Sequence, residues 1–312
     1  MEDAYIKNMK EIKITDFQNV SIGQADDQIG KTGVTVFLLG KDGMPAGIDV
    51  RGGGPASREI QLLYPMSSAQ VVHAIVIAGG SAFGLDAATG VMEYLEEKGI
   101  GFDVGVTRVP LVCQSDLFDL TVGDCKARPT KQMGREACLN MGNYQDGQHG
   151  AGTGATVGKL LGMEGSMPSG IGSYAVQVGE LKVGAVVAVN ALGDIYDWKT
   201  NKKIAGLRNA ETGEFIDSQE VLYNRVERTD NKFVGNTTLA VVLTNGKFNK
   251  MELGKIASMA HNGYARAIRP VHTSADGDSI YAVSTGNINA DIDATGELAA
   301  MVVAEAIKRA VK

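Results

Sequence analysis

Cysteine, tryptophan and proline are scarce in this sequence. Its 312 residues include three cysteines, one tryptophan and seven prolines. An odd number of cysteines does not form a complete disulfide framework, and Cys113, Cys125 and Cys138 lack the spacing of a zinc site. We therefore expect reduced thiols and a cytoplasmic protein.

Excess positive charge and long apolar runs are also lacking. The formal net charge is -6, and no dense basic cluster is present, so a nucleic-acid partner is not indicated. The run VVHAIVIAGG at 71–80 is too short to span a bilayer, and the opening MEDAYIKNMK has no apolar signal core. We expect neither a membrane nor a nucleic acid as a partner.

Glycine is abundant, with forty residues scattered among apolar runs. Such a distribution is typical of tight turns and close backbone contacts in a folded chain. No Pro-, Gly- or Ser-rich linker divides the sequence, and no repeat of fixed period is found. We expect one domain over residues 1–312.

Buried strands are predicted by apolar runs between turn signals. The Asn245-Gly246 pair after the fourth run predicts a turn. These strands are expected at 33–40, 71–80, 179–194, 237–245 and 279–285.

Helices are predicted at 81–99, 251–268 and 297–312, where apolar residues recur at helical spacing or helix formers dominate. The polar stretch from Trp198 to Asp230 predicts a surface excursion. Strands and helices therefore alternate without a regular βαβ repeat. A layered α/β (α+β) sandwich of sheets and helices is the expected architecture.

The glycine-rich stretches resemble nucleotide loops only superficially. GGSAFG at 79–84 lacks the second glycine of a dinucleotide fingerprint, and no strand precedes GAGTGA at 150–155. In GTGATVGKL, Leu160 replaces the magnesium-binding hydroxyl residue. DIDATG at 291–296 fails as a calcium loop because its twelfth position is Val302. Turns and close packing are the favoured interpretation.

The four histidines are dispersed, and none has the spacing of a metal ligand beside an acid or cysteine. His261 is a candidate base, although a packing or helix-surface role is favoured. No G-x-S-x-G elbow is present, and a Ser-His-Asp triad, being spatial, stays open.

The segment VGNTTLAVVLTN, from Val234 to Asn245, places two threonines at the start of an apolar strand. A threonine hydroxyl needs a base to act as a nucleophile. If the bond between Asn236 and Thr237 is cut, the new α-amine supplies one, with a pKa of about 7.7–8.0. The alternative is an ordinary strand start, since β-branched residues favour strands.

Three further residues could serve such a nucleophile. Asp276 and Asp278 flank a glycine, so both carboxylates can project the same way and hold an ammonium group. Asn190 ends an apolar strand, and its amide could donate to an oxyanion. A solvated Asp-Gly turn and a turn asparagine are the alternatives.

Several segments together resemble the DmpA-like L-aminopeptidase/D-esterase family, which includes β-aminopeptidases and nylon-oligomer hydrolases. The likeness covers nearly the whole chain and rests on the order and spacing of these segments. The segments are TGVTVFLLGKDGMPAGIDVRGGGPASREIQLLYP, HAIVIAGGSAFGLDAATGVMEYLEEKGIGF, RPTKQMGREAC, GAGTGATVGK, VGAVVAVNALGD, GNTTLAVVLTN and HTSADGDSIYAVSTG.

The resemblance implies a four-layer αββα sandwich, also shared by ornithine acetyltransferases, that cleaves itself at Asn236-Thr237. The products would be an α chain of 1–236 and a β chain of 237–312, assembled as a tetramer of αβ units. It implies that Thr237 is the nucleophile, with its freed amine as base. No metal or organic cofactor is implied.

The same resemblance assigns roles around the nucleophile. Asn190 matches an oxyanion-hole amide, and Lys159 matches a lysine near the nucleophile in the nylon-hydrolase branch. Asp276 and Asp278 match an acidic pair that orients the amine there. One departure is Phe118, where family members often carry a tyrosine. The Cys113 segment also looks unusual, so substrate preference is expected to differ.

The leading prediction is a self-processing N-terminal-threonine hydrolase that cleaves amide bonds of small peptides or aminoacyl amides. One alternative is an acyltransferase that moves the acyl group to an amine. Another is a non-processed protein that binds a small ligand through the glycine loops. The choice among α-, β- and D-peptides or ω-amino-acid oligomers stays open.

Overall fold

Strands and helices alternate irregularly along the chain in the computed structural model, which describes residues 8–226 and 235–312. The strands are β1 (Met9–Ile12), β2 (Val20–Asp27), β3 (Thr32–Leu39), β4 (Ala46–Val50), β5 (Ala56–Arg58), β6 (Ala74–Ala78), β7 (Phe102–Asp103), β8 (Arg108–Val109), β9 (Val112–Asp116), β10 (Thr156–Val157), β11 (Met167–Pro168), β12 (Ile171–Val178), β13 (Leu181–Asn190), β14 (Asp194–Asp197), β15 (Lys202–Ala205), β16 (Thr237–Gly246), β17 (Ile268–Arg269) and β18 (Ser279–Ile288). The helices are α1 (Ala87–Glu97), α2 (Lys131–Leu139), α3 (Ser218–Tyr223), α4 (Lys250–Ala267) and α5 (Ile292–Ala310).

Two larger sheets carry the fold. One has the strand order β1-β12-β13-β16-β18-β4, and only its β16-β18 pair is parallel. The other has the order β2-β3-β6-β9-β5, and only its β6-β9 pair is parallel. Strands β13 and β16 are therefore central, which means that they are paired on both edges.

Three apolar layers hold these elements together. The middle layer lies between the sheets, the second lies between the six-stranded sheet and helices α4 and α5, and the third lies between the five-stranded sheet and helices α1 and α2. Middle-layer residues include Phe37, Ile75, Ile77, Val186, Ala188, Leu239, Val241, Tyr281 and Val283. The order helix, sheet, sheet, helix confirms the predicted αββα sandwich.

The predicted strands lie where the apolar runs indicated them. β16 is buried along nearly its whole length, because the middle layer covers one face and α4 and α5 cover the other. A strand covered on both faces reads as a continuous apolar run rather than an alternation. For the same reason the sequence could not show which face each side chain occupies.

Some element boundaries differ from the prediction. Residues Ser81–Asp86 form a 3-10 helix, and α1 begins only at Ala87. Strand β16 continues through Asn245 to Gly246, so the predicted turn at this pair is wrong. The Asn245 side chain explains this, since its Oδ1 accepts from Lys182 N at 2.7 Å and its Nδ2 donates to Glu180 O at 2.9 Å. It therefore ties the strand end to the adjacent hairpin.

The polar stretch from Trp198 is more ordered than a surface excursion. It carries β15, which pairs with β14, and the short helix α3. Leu207 is fully buried with Leu160 and Leu192 in a separate small cluster. Lys203 Nζ lies 2.8 Å from Oδ2 of the buried Asp194. Most of the stretch up to residue 226 is exposed or half-buried, as the excursion prediction has it, and only Ala205, Gly206, Leu207 and Ser218 are buried. Residues 227–230 lie outside the described residues.

Candidate active site

Thr237 begins the central strand β16, and its cross-strand neighbour is the last residue of β13. Asn190 pairs with Thr237 in the antiparallel register of the two strands. Leu239 and Val241 alternate with Thr237 and face the middle layer, so the Thr237 side chain points toward the same layer. Both Thr237 and Asn190 are buried. The predicted nucleophile and the predicted oxyanion donor therefore lie side by side.

Lys159 reaches this pair from the loop after β10. Its buried Nζ donates to Asn190 Oδ1 at 2.6 Å and to Asn190 O at 3.0 Å. The Asn190 amide nitrogen in turn donates to the carbonyl oxygen of Phe118 at 2.8 Å. These contacts fix the amide with its oxygen toward Lys159. The Phe118 carbonyl accepts from one N–H of the Asn190 amide, and the second N–H can donate to another oxygen.

The two carboxylates of the DGD segment are both buried, and each has its own partners. Asp276 Oδ2 accepts from Thr273 N at 2.7 Å and from Thr273 Oγ1 at 2.6 Å. Asp278 Oδ1 accepts from the main-chain N of Thr238 at 2.8 Å. One carboxylate thus faces its own loop, and the other holds the residue that follows Thr237.

Burial brings the proton affinities of Lys159 and Asp276 close together. Burial lowers the pKa of Lys159 to about 7, and the negative charges of Asp276 and Asp119 oppose this shift. Burial, followed by the charge of Asp278, raises the pKa of Asp276 to about 6, while the hydrogen bonds from Thr273 and the charge of Lys159 oppose it. A buried lysine and a buried acid that both titrate near neutrality are suited to proton transfer.

The carbonyl oxygen of Asn236 receives two donors. Gly277 N donates to it at 2.8 Å, and Thr237 Oγ1 donates to it as well. Gly277 has little room for a side chain, because an added Cβ would lie 2.6 Å from Thr237 Oγ1 and 3.0 Å from Gly54 O. The hydroxyl of Thr237 is thus held against the peptide bond that precedes it.

Two glycines pack closely around the site, one from the VGNTT segment and one from the GGSAFG segment. A Cβ on Gly235 would lie 2.2 Å from Phe118 Cγ, and one on Gly79 would lie 1.9 Å from Asp119 Oδ2. Asp119 accepts from Thr32 Oγ1 and from Gly80 N, both at 2.7 Å. The GGSAFG stretch therefore holds a buried carboxylate whose charge acts on Lys159, in agreement with close packing rather than a nucleotide site.

One known protein family matches nearly the whole chain. The model of peptidase family S58 matches residues 13–312. The chain belongs to peptidase family S58. It is therefore a hydrolase of peptide or amide bonds, and the alternative of a protein that only binds a ligand is not supported.

Relatives of this S58 peptidase share most of its length. An uncharacterized aminopeptidase of Mycobacterium leprae is 37% identical over an alignment of 297 positions, which covers 89% of this chain and 79% of the relative. A 6-aminohexanoate-oligomer endohydrolase of Agromyces is 31% identical over 88% of this chain and 75% of its own. Both names describe enzymes that act on amide bonds.

The fold is shared with solved aminopeptidases at lower identity. The L-aminopeptidase D-Ala-esterase/amidase of Ochrobactrum anthropi, described as a variant of the Ntn hydrolase fold, has a TM-score of 0.70 and 18% identity. The match covers 95% of this chain and 85% of that one. A Burkholderia β-aminopeptidase has a TM-score of 0.69 and 18% identity, over 98% of this chain and 88% of that one.

The histidines of the S58 chain have specific partners that the sequence reading did not assign. His272 Nδ1 lies 2.8 Å from Asp278 Oδ2, and His149 Nδ1 lies 2.9 Å from Asp26 Oδ2. His261 is fully buried, so the packing role holds and the helix-surface role is wrong. His272 lies six residues before Asp278 in the quoted HTSADGD segment, but spacing alone gave no reason to pair them.

The described parts of the chain show neither a metal-binding cluster nor a membrane-spanning helix. Residues 8–226 and 235–312 contain no group of three or more His, Cys, Asp or Glu side chains that could hold a metal ion. No helix within these ranges is long and apolar enough to cross a membrane. Cys113, Cys125 and Cys138 are free, and Cys113 is buried in the middle layer rather than in the site.

Proposed function

We propose that this S58 hydrolase is made as an inactive precursor that cuts its own Asn236-Thr237 bond and then uses Thr237 as an N-terminal nucleophile. One observation carries the proposal: the Thr237 hydroxyl and the Gly277 N–H converge on the carbonyl of Asn236. A nucleophile on one side and a fixed donor on the oxygen are what attack on that carbonyl requires.

The first step is an acyl shift within the chain. Thr237 Oγ attacks the Asn236 carbonyl carbon, its proton leaves to a base, and Gly277 N–H stabilises the negative oxygen. The C–N bond then breaks, the nitrogen takes a proton, and an ester joins Asn236 to Thr237. Water hydrolyses that ester and leaves a carboxylate on Asn236 and an α-amine on Thr237.

Lys159 is the group best suited to remove the first proton. The α-amine is still part of a peptide bond at that stage, so it cannot act as the base. Lys159 has a pKa lowered to about 7 by burial, so a large share is neutral at neutral pH. Its Nζ lies 2.6 Å from Asn190 Oδ1, and Asn190 is the cross-strand partner of Thr237.

Hydrolysis of a substrate repeats this chemistry on an external amide. The freed α-amine of Thr237 takes the hydroxyl proton, and Oγ attacks the substrate carbonyl. The second N–H of Asn190 stabilises the oxyanion, and the departing amine takes the proton. Water then releases the acyl group. The nearby charges of Asp276 and Asp278 favour the protonated amine between turnovers.

We propose small peptides or aminoacyl amides as substrates. Support comes from the S58 membership and from relatives named aminopeptidase and 6-aminohexanoate-oligomer endohydrolase. An assembly of αβ units as a tetramer and a cytoplasmic location stay predictions. Product analysis in the presence of a competing amine distinguishes hydrolysis from acyl transfer. The amine would be incorporated into the product only if the enzyme transfers the acyl group.

The test is a covalent trap of the acyl-enzyme. Incubation with an activated ester of an amino acid, followed by acid quench and peptide mapping, should place one acyl group on Thr237. A Thr237→Ser variant is the matched control, since it retains a hydroxyl nucleophile and should also be acylated. Labelling that persists in Thr237→Ala at another residue would contradict the proposal.

A further inference from the structure

The residue after the proposed nucleophile is clamped on both sides by side chains. Thr238 N donates to Asp278 Oδ1 at 2.8 Å, and Thr238 O accepts from Tyr264 Oη at 3.1 Å. The parallel ladder between β16 and β18 begins only one residue later, with Leu239 opposite Ser279. These side chains therefore take the place of main-chain bonds to β18 at Thr238, while the other edge of β16 is already paired with β13.

Asp278 is in turn held by His272. The Nδ1 of His272 lies 2.8 Å from Asp278 Oδ2, and the main-chain N of His272 donates to the same oxygen at 3.2 Å. The His272 main chain already donates to this oxygen, and the tautomer with a proton on Nδ1 makes the ring a second donor to it. The His272 backbone has a φ of 57°, which is uncommon for a residue with a side chain. The loop therefore bends to present both donors of His272.

The other side of the ring packs against aromatic neighbours. The His272 and His261 ring centroids lie 4.7 Å apart, edge to face, and the Tyr264 centroid lies 5.8 Å away. His261 Nε2 bonds to the main-chain O of Asp49 at 3.1 Å. The imidazole is thus wedged between α4 and Asp278, on the side of the sheet away from the middle layer that Thr237 faces.

We infer that His272 is a positioning residue for the reaction: it fixes Asp278, which holds the Thr238 N–H and thereby the hydroxyl and amine of Thr237. The inference rests on the proposed function of Thr237. His272 acts through Asp278 and does not exchange protons with the substrate. Its loss should slow self-cleavage and turnover by misplacing Thr237, with a smaller change in KM.

The experiment compares His272→Asn with His272→Gly. Both residues accept the left-handed backbone, so neither adds strain there. Only asparagine keeps a donor near the position of Nδ1. We expect His272→Asn to stay within about threefold of wild type, and His272→Gly to lose about tenfold or more in the rates of self-cleavage and kcat, as for a lost hydrogen bond to a charged group.

Chemical rescue separates positioning from a general loss of structure. The His272 side chain is 18% exposed, so added imidazole can enter the space left in His272→Gly. We expect imidazole to restore most of the lost rate in that variant and none in wild type. The matched control is His149→Ala, which removes a similar His-Asp pair from Asp26 and should leave both rates unchanged.

A second contrast covers the case in which His272→Gly does not fold. His272→Asp has almost the shape of His272→Asn and also tolerates the left-handed backbone, but it offers no donor to Asp278. Equal rates in the asparagine, glycine and aspartate variants would overturn the inference, as would a loss in the glycine variant that imidazole leaves unchanged. If instead Thr237→Ala cleaves and turns over like wild type, the proposed function fails.

Discussion

Lys159 and Lys250 are both buried, yet they lie at opposite ends of the central strand β16 in different surroundings. Lys159 contacts the partner of the first residue of β16, whereas Lys250 begins α4 shortly after the strand ends. Lys250 Nζ donates to the main-chain oxygens of Leu62 and Ser67 at 3.2 and 2.7 Å. Burial lowers the pKa of both lysines, but carboxylate charges oppose the shift only at Lys159.

Burial alone therefore does not suit a lysine to proton transfer, because a partner that titrates is also needed. Lys250 ties a loop to a helix, because main-chain carbonyls accept its hydrogen bonds. A carbonyl cannot exchange a proton with the lysine as a carboxylate can. Lys159 has Asp276 and Asp119 near it, and it donates to the side-chain amide of Asn190, the cross-strand partner of Thr237. The Lys159 end of the sheet thus has titratable neighbours, whereas Lys250 at the opposite end bonds to main-chain carbonyls.

The same substitution at both lysines should separate their roles. Lys159→Met should slow self-cleavage by about 10²–10⁴-fold, because it removes the proposed base. Lys250→Met should leave the cleavage rate unchanged and lower the free energy of unfolding by about 1–3 kcal/mol, because two carbonyls lose their donor. Gel densitometry of cleavage and urea unfolding would measure the two effects. Equal cleavage rates in the two variants would contradict the assignment.

Gly277→Ala tests the geometry around the hydroxyl rather than the base. The new methyl group would lie 2.6 Å from Thr237 Oγ1 and must displace it. A displacement of about 1 Å can cost about 10²-fold in rate. We expect slower self-cleavage with the fold retained, as judged by circular dichroism. Gly254→Ala is the control, since nothing lies within 4 Å of an added Cβ there.

The pH dependence of self-cleavage reports on the lysine itself. The pKa of Lys159 is lowered to about 7, so the base is neutral above that pH and charged below it. The rate should therefore fall up to about tenfold per unit as the pH drops below 7 and should level off above it.

Asp276→Asn should shift the pH at which the rate is half its maximum. It removes a negative charge that raises the pKa of Lys159, so the midpoint of the residual rate should move to lower pH. Stopped cleavage assays across pH 5–9 would locate both midpoints. A midpoint that stays in place in Asp276→Asn would show that another group titrates.

Phe118→Tyr should have the smallest effect. Phe118 packs against Gly235, and its carbonyl accepts from the Asn190 amide. A phenol at this position would add a donor beside the oxyanion site, so we expect kcat to rise by up to about tenfold with little change in KM. Steady-state kinetics on an aminoacyl amide would measure it. A fall in kcat would mean that the phenylalanine is better suited to this site.

Much of the fold could be read from the sequence because its signals are local. Apolar runs such as β16 and the helical spacing of α4 predicted elements that the structure contains. The ends of elements were less predictable, since they depend on tertiary contacts. Asn245 continues β16 because its side chain bonds to the β12-β13 hairpin, which sequence spacing does not reveal.

The residues of the candidate site could be named from the sequence, but their contacts could not, and their catalytic roles stay predictions. Thr237, Asn190, Lys159, Asp276 and Asp278 were all named, and the structure brings them to one end of the sheet. The donor from Gly277 and the His272-Asp278 pair were missed, because a main-chain N–H leaves no mark in the sequence and a histidine partner is chosen by the fold.

Intact-mass spectrometry reports directly on whether the bond between Asn236 and Thr237 is cut. Purified wild type should give two fragments, residues 1–236 and 237–312, with the smaller one beginning at Thr237. Thr237→Ala should stay whole after the same incubation. A wild-type chain that remains uncut, or a Thr237→Ala chain that is cut at the same bond, would contradict the account.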